Sequence, residues 1–363
     1  MALNSNNFCV VMCGGIGSRF WPVSRKSYPK QFLDFFGTGQ SLLQQTYKRF
    51  SKIIPKENIF LVTNKAYADL IKQQLPEIND NQILFEPMRR NTAPCVAWAS
   101  YHIYSINPNA NIVVAPSDHL ILNEDNFLQL ISEALDFAGR TDNLLTLGIK
   151  PNRPETGYGY IQIDEQKVDQ FYKVKTFTEK PELDLAKVFV ESGEFYWNSG
   201  MFVWNVNSII KALQQFIPEL TLRLAADEAM KVYNTADEQD FIDKNFPLCP
   251  NISIDFGVME KADNVYVLLG DFGWSDLGTW SSIYELSDKD SDGNVISKGI
   301  AQLYNCKNNI AILPKDKLLV MQDVDGYLIA ETDNVLLICK KDEEKDVRKF
   351  VTDVQMKLGD DYV

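Results

Sequence analysis

Short apolar runs and helical patterns alternate over the first 150 residues, and this alternation constrains the fold more than any other feature of the chain. The apolar runs are FCVVM (8–12), IFLVT (59–63), ILFE (83–86), NIVVAP (111–116) and LLTLGI (144–149). Runs of this length are typical of strands that are buried on both faces of a sheet. The helical patterns between them cover 41–53, 65–75, 93–106 and 126–139. The alternation predicts a doubly wound α/β sheet with helices on both faces.

The pattern changes after residue 150. Residues 157–181 are typical of a β-ribbon, and helices are expected over 207–230 and 237–244. Beyond the polar stretch SDKDSDGN (287–294), short alternating runs predict strands, and EEKDVRKFVTDVQMKL predicts a closing helix. We therefore expect a large domain over 1–290 and a small C-terminal β-domain over 291–363.

The composition excludes several classes of protein. The chain has 36 Lys and Arg against 49 Asp and Glu, a net charge of −13, so nucleic acid and anionic membrane surfaces would be repelled overall. No apolar run approaches the roughly 18 residues of a transmembrane helix, and the N-terminus lacks the basic region of a signal peptide. Six cysteines form no CxxC pair, and two histidines argue against zinc. We expect a cytoplasmic protein with no nucleic-acid or membrane partner.

One stretch is basic in spite of this balance: VVMCGGIGSRFWPVSRKSYPKQF, residues 10–32. No acidic residue precedes Asp34, and the first 33 residues carry a charge of +4 from Arg19, Arg25, Lys26 and Lys30. Glycines between a strand and a helix let backbone N–H groups approach phosphates. The stretch lacks the P-loop ending GK(S/T), and Phe20 stands where GxGxxG requires its last glycine. A turn that serves only packing is the alternative, but cations without counter-charge favour a polyphosphate site.

Eight blocks of the chain resemble the sugar-1-phosphate nucleotidyltransferases, in particular their mannose-1-phosphate guanylyltransferase branch. They are GGIGSRFWPVSRKSYPKQF in the basic stretch, FEPMRRNTAPCVA (85–97), APSDHLI (115–121), GIKPNRPETGYGYI (148–161), FTEKP (177–181), WNSGMFVW (197–204), SIDFGVMEK (253–261) and GWSDLGTW (273–280). The blocks follow the order that they have in the family. The resemblance implies a Rossmann-like doubly wound mixed sheet, the nucleotidyltransferase fold. It also implies transfer of GMP from GTP to mannose-1-phosphate, with GDP-mannose and pyrophosphate as products.

Such a transfer needs cations and backbone donors more than a general base, because the attacking sugar phosphate is already anionic. The resemblance assigns catalytic roles to Arg19 and Lys30, which would neutralise the phosphates. The loop residues that would wrap the triphosphate are Gly14, Gly15, Gly17 and Ser18.

The resemblance also pairs Asp118 with Asp276 as ligands of Mg²⁺, a metal that takes few protein carboxylates. Taken alone, each aspartate would more often be a helix N-cap than a metal ligand, and Asp255 is a weaker candidate for the metal. Guanine would be recognised near Asn91 and Thr92. The alternative is that Asn91 caps the helix that follows, and both roles could hold together.

The sugar phosphate would be bound by Gly157, Glu179, Lys180 and Asn198, again by resemblance. Glu179 would accept hydrogen bonds from sugar hydroxyls while Lys180 meets the phosphate. Each of these residues also has an alternative structural role. Glu179 and Lys180 could form a common surface ion pair, and Gly157 could simply permit a bend in a strand.

Two other functions stay open at this stage. One is a sister nucleotidyltransferase for another sugar-1-phosphate or nucleotide. The other is a non-catalytic sensor of nucleotide sugars, which is disfavoured because Arg19, Lys30, Asp118 and Asp276 are all present. The chain ends at Val363 without the isomerase domain of many bacterial family members, so the single-function form is expected. A homodimer is expected from the C-terminal strands, where part of a left-handed β-helix would also fit.

Overall fold

A computed structural model describes residues 3–225 and 229–363. The described residues form two compact units. The first contains Met1–Gly14, Tyr47–Ser117 and Ile121–Trp274, and the second contains Gly15–Thr46, Asp118–Leu120 and Ser275–Val363, in each case as far as these are described. The units follow compactness and so differ from the predicted domains 1–290 and 291–363, which stay a prediction.

The strands are β1 (Asn7–Cys13), β2 (Ile59–Asn64), β3 (Ile83–Glu86), β4 (Asn111–Pro116), β5 (Leu120–Ile121), β6 (Leu144–Ile149), β7 (Tyr160–Val168), β8 (Phe171–Thr178), β9 (Phe195–Asn205), β10 (Val265–Gly270), β11 (Trp274–Ser275), β12 (Val295–Ser297), β13 (Ile300–Tyr304), β14 (Ile310–Ile312), β15 (Leu318–Gln322), β16 (Tyr327–Glu331) and β17 (Leu336–Lys340). The α-helices are α1 (Leu42–Phe50), α2 (Ala68–Gln74), α3 (Thr92–Ile106), α4 (Glu124–Arg140), α5 (Leu183–Ser192), α6 (Val206–Phe216), α7 (Pro218–Leu224), α8 (Glu238–Asn245), α9 (Trp280–Leu286) and α10 (Val347–Leu358).

A nine-stranded sheet forms the centre of the first unit, in the order β3-β2-β1-β4-β9-β6-β10-β8-β7. Strand β1 pairs in parallel with β2 and β4, and β6 pairs in parallel with β10. Strand β9 lies antiparallel between β4 and β6. The predicted doubly wound mixed sheet is confirmed, and all five apolar runs of the first 150 residues are strands of it. The carboxyl ends of its parallel strands meet at one edge, where ligands of such sheets bind.

Helix α3 packs into the main core of the first unit. Its residues Ala93–Ile103 are buried, which fits a helix that is apolar on nearly all sides. Trp98 and Tyr101 join Phe8, Phe60 and other strand residues in one cluster. The start of α3 is therefore held firmly, and it follows directly on the predicted guanine-binding residue Asn91.

The second unit has its own core, which joins distant parts of the chain. Phe20 of the basic stretch, Trp280 of α9, Leu328 of β16 and Val347 of α10 are all buried in one cluster. Strands β12, β14 and β16 pair in parallel, as do β13 and β15. This pairing is compatible with a parallel β-helix, whose left-handedness stays a prediction.

The helix predicted over 207–230 is two helices, α6 and α7, which meet at Ile217. Pro218 stands at the first position of α7, where its missing N–H costs nothing. Residues 226–228 of that prediction lie outside the described residues. Among the helices that the structure describes, none combines the length and apolarity needed to span a bilayer.

Candidate active site

A cleft of about 260 Å³ in the second unit gathers both predicted catalytic residues and both predicted metal ligands. Its lining residues are Gly17, Ser18, Arg19, Phe20, Lys30, Asp118, His119, Asp276, Leu277, Gly278 and Arg348. They come from four separate segments of the sequence. The cleft is therefore polar and rich in charge, as a site for a phosphorylated ligand is.

The glycine-rich loop requires glycine at position 17. Gly17 has a φ of 68°, in the left-handed region, and a side chain there would collide with Lys30. The backbone N–H of Lys30 donates to the carbonyl of Ile16 at 3.3 Å, and the Ser24 hydroxyl donates to the same carbonyl. These contacts hold Lys30 beside the loop.

Lys30 is 5% exposed and serves as the central cation of the cleft. Its Nζ lies 2.9 Å from Oδ2 of Asp118 and also donates to the backbone carbonyl of Asp276. Burial on its own would raise the pKa of Asp118, but Lys30 and then His119 outweigh burial, so that this pKa lies below its ordinary value. Asp118 is thus held as a carboxylate in the cleft.

Asp276 and Arg19 are fixed by the same turn. Oδ1 of Asp276 accepts from the N–H of Gly278 at 2.9 Å, and Nη1 of Arg19 donates to the Gly278 carbonyl at 3.1 Å. Thr279, not Asp276, caps helix α9, and strand β5 rather than a helix follows Asp118. The alternative that these two aspartates are helix caps is wrong.

The other two cations of the basic stretch point to different partners. Arg25 donates through Nη2 to Thr332 and Asn334, each at 2.7 Å. The Nζ of Lys26 lies 3.5 Å from Asp360. Both therefore tie the basic stretch to C-terminal residues of the same unit, and neither lines the cleft.

The predicted guanine-binding residues stand at the start of α3 in the first unit. The Asn91 side chain accepts from the N–H of Thr92 at 3.2 Å and caps the helix, so the capping alternative is confirmed. Asn91 has a φ of 65° and a ψ of −164°, a strained backbone conformation that is rare for any residue except glycine. The Thr92 hydroxyl accepts from the N–H of Ile254 at 2.9 Å. This bond joins the start of α3 to the segment that carries Asp255.

A buried carboxylate that the sequence analysis missed lies beside Gly14 of the glycine-rich loop. Glu86, the last residue of β3, is 5% exposed, and its Oε1 packs against the backbone of Gly14. The Cys95 thiol donates to its Oε2 at 3.3 Å. Burial raises the pKa of Glu86 above its ordinary value, and the smaller opposing effects of Cys95 and Arg89 do not cancel this rise. The signal was its place at the carboxyl end of a buried strand, within the FEPMRRNTAP block.

A second polar cluster of the first unit contains Glu179 and Asn198. Nδ2 of Asn198 donates to Oδ1 of Asp255 at 2.8 Å, and the Thr146 hydroxyl donates to Oδ1 of Asn198 at 3.0 Å. A Cβ on Gly159 would stand 2.5 Å from Oε2 of Glu179, so this carboxylate lies close against the glycine. The cluster thus brings two of the predicted sugar-phosphate residues together with Asp255.

The other two predicted sugar-phosphate residues are placed differently. The side chain of Lys180 is 62% exposed, and its Nζ lies 2.8 Å from Oε1 of Glu179. Gly157 donates its N–H to the Glu155 carboxylate at 3.0 Å. Gly159, rather than Gly157, lies against the cluster, and the roles predicted for Gly157 and Lys180 stay predictions.

The pKa of Asp255 is raised to about 6, first by burial and then by the charge of Glu179, against the hydrogen bonds that it accepts. The folded protein therefore binds this proton more tightly than the unfolded chain does. A stabilising contribution present below the ordinary pKa of about 4 is lost as pH rises through about 6. Destabilised carboxylates of this kind are common at functional sites.

We expect Asp255→Asn to stabilise the ligand-free protein at about pH 8 by up to about 3 kcal/mol, and to have little effect near pH 4. Asparagine keeps an oxygen that accepts from Asn198 but carries no charge to desolvate. Chemical denaturation at both pH values measures the effect. The exposed Asp263→Asn is the control, and a pH dependence of stability unchanged by Asp255→Asn would contradict the assignment.

Comparisons with known proteins identify the family of the chain. A family model described as nucleotidyl transferase matches residues 8–293, and the chain belongs to this family. Its relatives include the mannose-1-phosphate guanylyltransferase of Escherichia coli, 36% identical over 353 residues, which are 94% of this chain and 74% of the relative. The enzyme of the same name from Klebsiella pneumoniae is 38% identical over 362 residues, 97% of this chain and 75% of the relative.

A solved structure supports the fold over nearly the whole chain. A Thermus thermophilus protein described as a mannose-1-phosphate geranyltransferase superposes with a TM-score of 0.85 at 27% identity. The match covers 96% of this chain and 99% of that one. The predicted family, its mannose-1-phosphate guanylyltransferase branch and the predicted fold class are confirmed.

Proposed function

We propose that the chain transfers GMP from GTP to mannose-1-phosphate and releases GDP-mannose and pyrophosphate. The observation that carries the proposal is the cleft in which Arg19, Lys30, Asp118 and Asp276 meet the glycine-rich loop. Cations, backbone donors and two carboxylates in one cleft suit a triphosphate and its metal. The relatives named above are guanylyltransferases that act on mannose-1-phosphate, which supports this choice of substrates.

The chain's residues would act mainly by alignment and by stabilisation of charge. An oxygen of mannose-1-phosphate attacks the α-phosphorus of GTP, and the bond from that phosphorus to the pyrophosphate oxygen breaks. No proton has to be removed from the anionic nucleophile. Arg19, Lys30 and the N–H groups of the loop stabilise the negative charge that grows on the departing pyrophosphate.

The donor set of the cleft fits Mg²⁺. Among the residues that the structure describes, no group of three or more His, Cys, Asp or Glu is arranged for a metal, but Mg²⁺ in phosphate-transfer sites needs only one or two carboxylates beside phosphate oxygens. Asp118 and Asp276 would supply them. When bound, the ion neutralises phosphate charge and favours departure of pyrophosphate.

We propose that Glu86 helps to select guanine, together with groups near Asn91 and Thr92. Guanine presents N1–H and N2–H₂ as adjacent donors, and a carboxylate accepts from both. Glu86 lies against Gly14, a residue of the predicted nucleotide-binding loop. Its ionised form is needed for this role, so affinity for GTP is expected to fall as pH falls through its raised pKa.

Glu86→Gln is expected to raise the KM for GTP by about ten- to a hundredfold, the usual cost of losing a charged acceptor. The KM values for ATP and UTP rise much less, because neither base offers this pair of donors. Steady-state kinetics with the three nucleotides measures the change in preference. Glu57→Gln, an exposed substitution in the same unit, is the control, and an equal effect on all three nucleotides would contradict base selection.

For the sugar phosphate, we propose that Glu179 and Asn198 bind hydroxyl groups and that Lys180 turns from Glu179 to the phosphate. The exposure of Lys180 leaves its ammonium free to move, whereas Asn198 is held by Asp255 and Thr146. The roles of Gly14, Gly15, Gly17 and Ser18 as triphosphate-binding residues belong to the same proposal. The end of the family match at residue 293 supports the proposed domain boundary near 290.

The experiment that tests the function is pyrophosphate release by the purified protein with Mg²⁺, four nucleoside triphosphates and a panel of sugar-1-phosphates. We expect release with GTP and mannose-1-phosphate. Release with another pair would keep the mechanism and establish a sister nucleotidyltransferase. Absence of release with every pair, together with calorimetric binding of GDP-mannose, would establish a sensor instead.

A further inference from the structure

The C-terminal helix α10 contributes a cation to the phosphate cleft. Arg348 lines the cleft with Arg19 and Lys30, although it lies more than 300 residues further along the chain. We propose that Arg348 is a phosphate-binding residue that contacts the β- and γ-phosphates of the nucleotide and the pyrophosphate formed from them. The identity of the nucleotide rests on the proposed function, whereas the affinity for pyrophosphate does not.

The charge of the cleft supports this role. Without Arg348, the lining would hold two cations, Arg19 and Lys30, against the two carboxylates of Asp118 and Asp276. Lys30 is already engaged with Asp118 at 2.9 Å. Arg348 therefore supplies the net positive charge that a polyphosphate needs.

The position of Arg348 in its helix does not favour a cation, although its side chain is exposed to solvent. It stands in the first turn of α10, where the helix dipole disfavours a cation. Burial and then the charge of Arg19 lower its pKa, so the two guanidinium groups oppose one another. Over residues 3–225 and 229–363, no ion pair or hydrogen bond engages the guanidinium of Arg348. An anion between the two arginines would relieve this repulsion.

Helix α10 is anchored firmly enough to position the side chain. Val347, the preceding residue, is fully buried in the cluster that also contains Phe20. The Glu344 carboxylate accepts from the N–H of Ser281 at 3.0 Å. The indole N–H of Trp21 donates to the carbonyl of Tyr362 at 2.7 Å. The residues on both sides of α10 are thus tied to the elements that form the cleft.

The phosphates at issue are those of the nucleotide. Arg348 lines the same cleft as Gly17 and Ser18 of the glycine-rich loop, whereas the groups proposed for the sugar phosphate, Glu179, Lys180 and Asn198, do not line it. Arg348 is accordingly expected to affect GTP and pyrophosphate and to leave the affinity for mannose-1-phosphate unchanged.

Calorimetric titration of the full chain with inorganic pyrophosphate in Mg²⁺ tests the proposal. Arg348→Gln is expected to weaken binding of pyrophosphate by about tenfold or more, the range of one charge-assisted hydrogen bond. Arg348→Lys keeps the charge and is expected to lose less. Lys349→Gln is the matched control, because it removes the same charge from an equally exposed neighbour that, unlike Arg348, does not line the cleft.

Equal pyrophosphate affinities of Arg348→Gln and Lys349→Gln, both with the melting temperature of the wild type, would overturn the proposal. So would a wild-type protein that does not bind pyrophosphate. Mannose-1-phosphate titrated into the same variants checks selectivity, and an equal loss there would point to a general disturbance and also overturn it. If no nucleotide supports turnover but Arg348→Gln still weakens pyrophosphate binding, the proposed function fails and this inference stands.

Discussion

Replacement of Lys30 by methionine is expected to lower kcat for pyrophosphate release by about 10²–10³-fold, the usual loss when a buried donor to developing charge is removed. Lys30 is 5% exposed, and methionine keeps most of its aliphatic stem while it removes the charge. The loss falls mainly on kcat, because the charge on pyrophosphate is greatest in the transition state. Steady-state kinetics with GTP and mannose-1-phosphate measures it.

The same substitution leaves Asp118 without its ion-pair partner, so stability has to be measured as well. Asp118 is 26% exposed, which makes the cost smaller than the roughly 3–5 kcal/mol of a fully buried pair. Lys30 lowers the pKa of Asp118, and the stability from this pair is present at neutral pH and lost as pH falls through that pKa. Thermal unfolding at pH 7 measures how much stability the Lys30→Met protein loses.

Lys26→Met is the matched control, since Lys26 lies in the same basic stretch but is 57% exposed and pairs with Asp360. It is expected to keep nearly full activity. Lys30→Arg, which retains a cation, separates loss of charge from loss of fold. A folded Lys30→Met protein with kcat within about twofold of the wild type would contradict the role of Lys30.

Asp276→Asn is expected to lower turnover by about 10²-fold or more at saturating Mg²⁺ and to weaken the apparent affinity for the metal, since a metal contributes several kcal/mol to such transition states. Asparagine retains the oxygen that accepts from the N–H of Gly278, so the turn that also binds Arg19 is preserved. Initial rates across a Mg²⁺ titration give both quantities.

Asp288→Asn, an exposed substitution in the same unit, is the control for a change of one charge. The two variants are expected to unfold at similar temperatures. Full turnover of Asp276→Asn with an unchanged Mg²⁺ dependence would remove Asp276 from the metal site and leave Asp118 as the remaining carboxylate of the cleft.

Local sequence patterns were sufficient to predict most strands of the central sheet. The strands β3, β4 and β6 have the bounds that their apolar runs predict, and α3 begins within one residue of its predicted start. These elements are buried on most sides, so most of their residues are apolar. Polar or turn-forming residues mark where each element begins and ends. The direction of β9 could not be read in this way, because an apolar run has the same pattern in either orientation.

For the candidate site, too, the sequence predicted some features and only the tertiary structure decided others. The glycines, cations and aspartates could be selected from motif and charge, because phosphate chemistry needs those residue types. Motif and charge could not tell which cations of the basic stretch line the cleft. Arg19 and Lys30 line it, whereas Arg25 donates to Thr332 and Asn334. Asp255 was only a weaker candidate, and its raised pKa comes from burial and from Glu179, 76 residues earlier in the chain.

The family, the sheet and the kind of chemistry thus follow from patterns within single segments, where residue type and spacing carry the information. The pairing of Lys30 with Asp118, the burial of Glu86 and the presence of Arg348 in the cleft depend on contacts between segments that are distant in sequence. Charge and desolvation act through space, so these properties exist only once folding has brought the segments together.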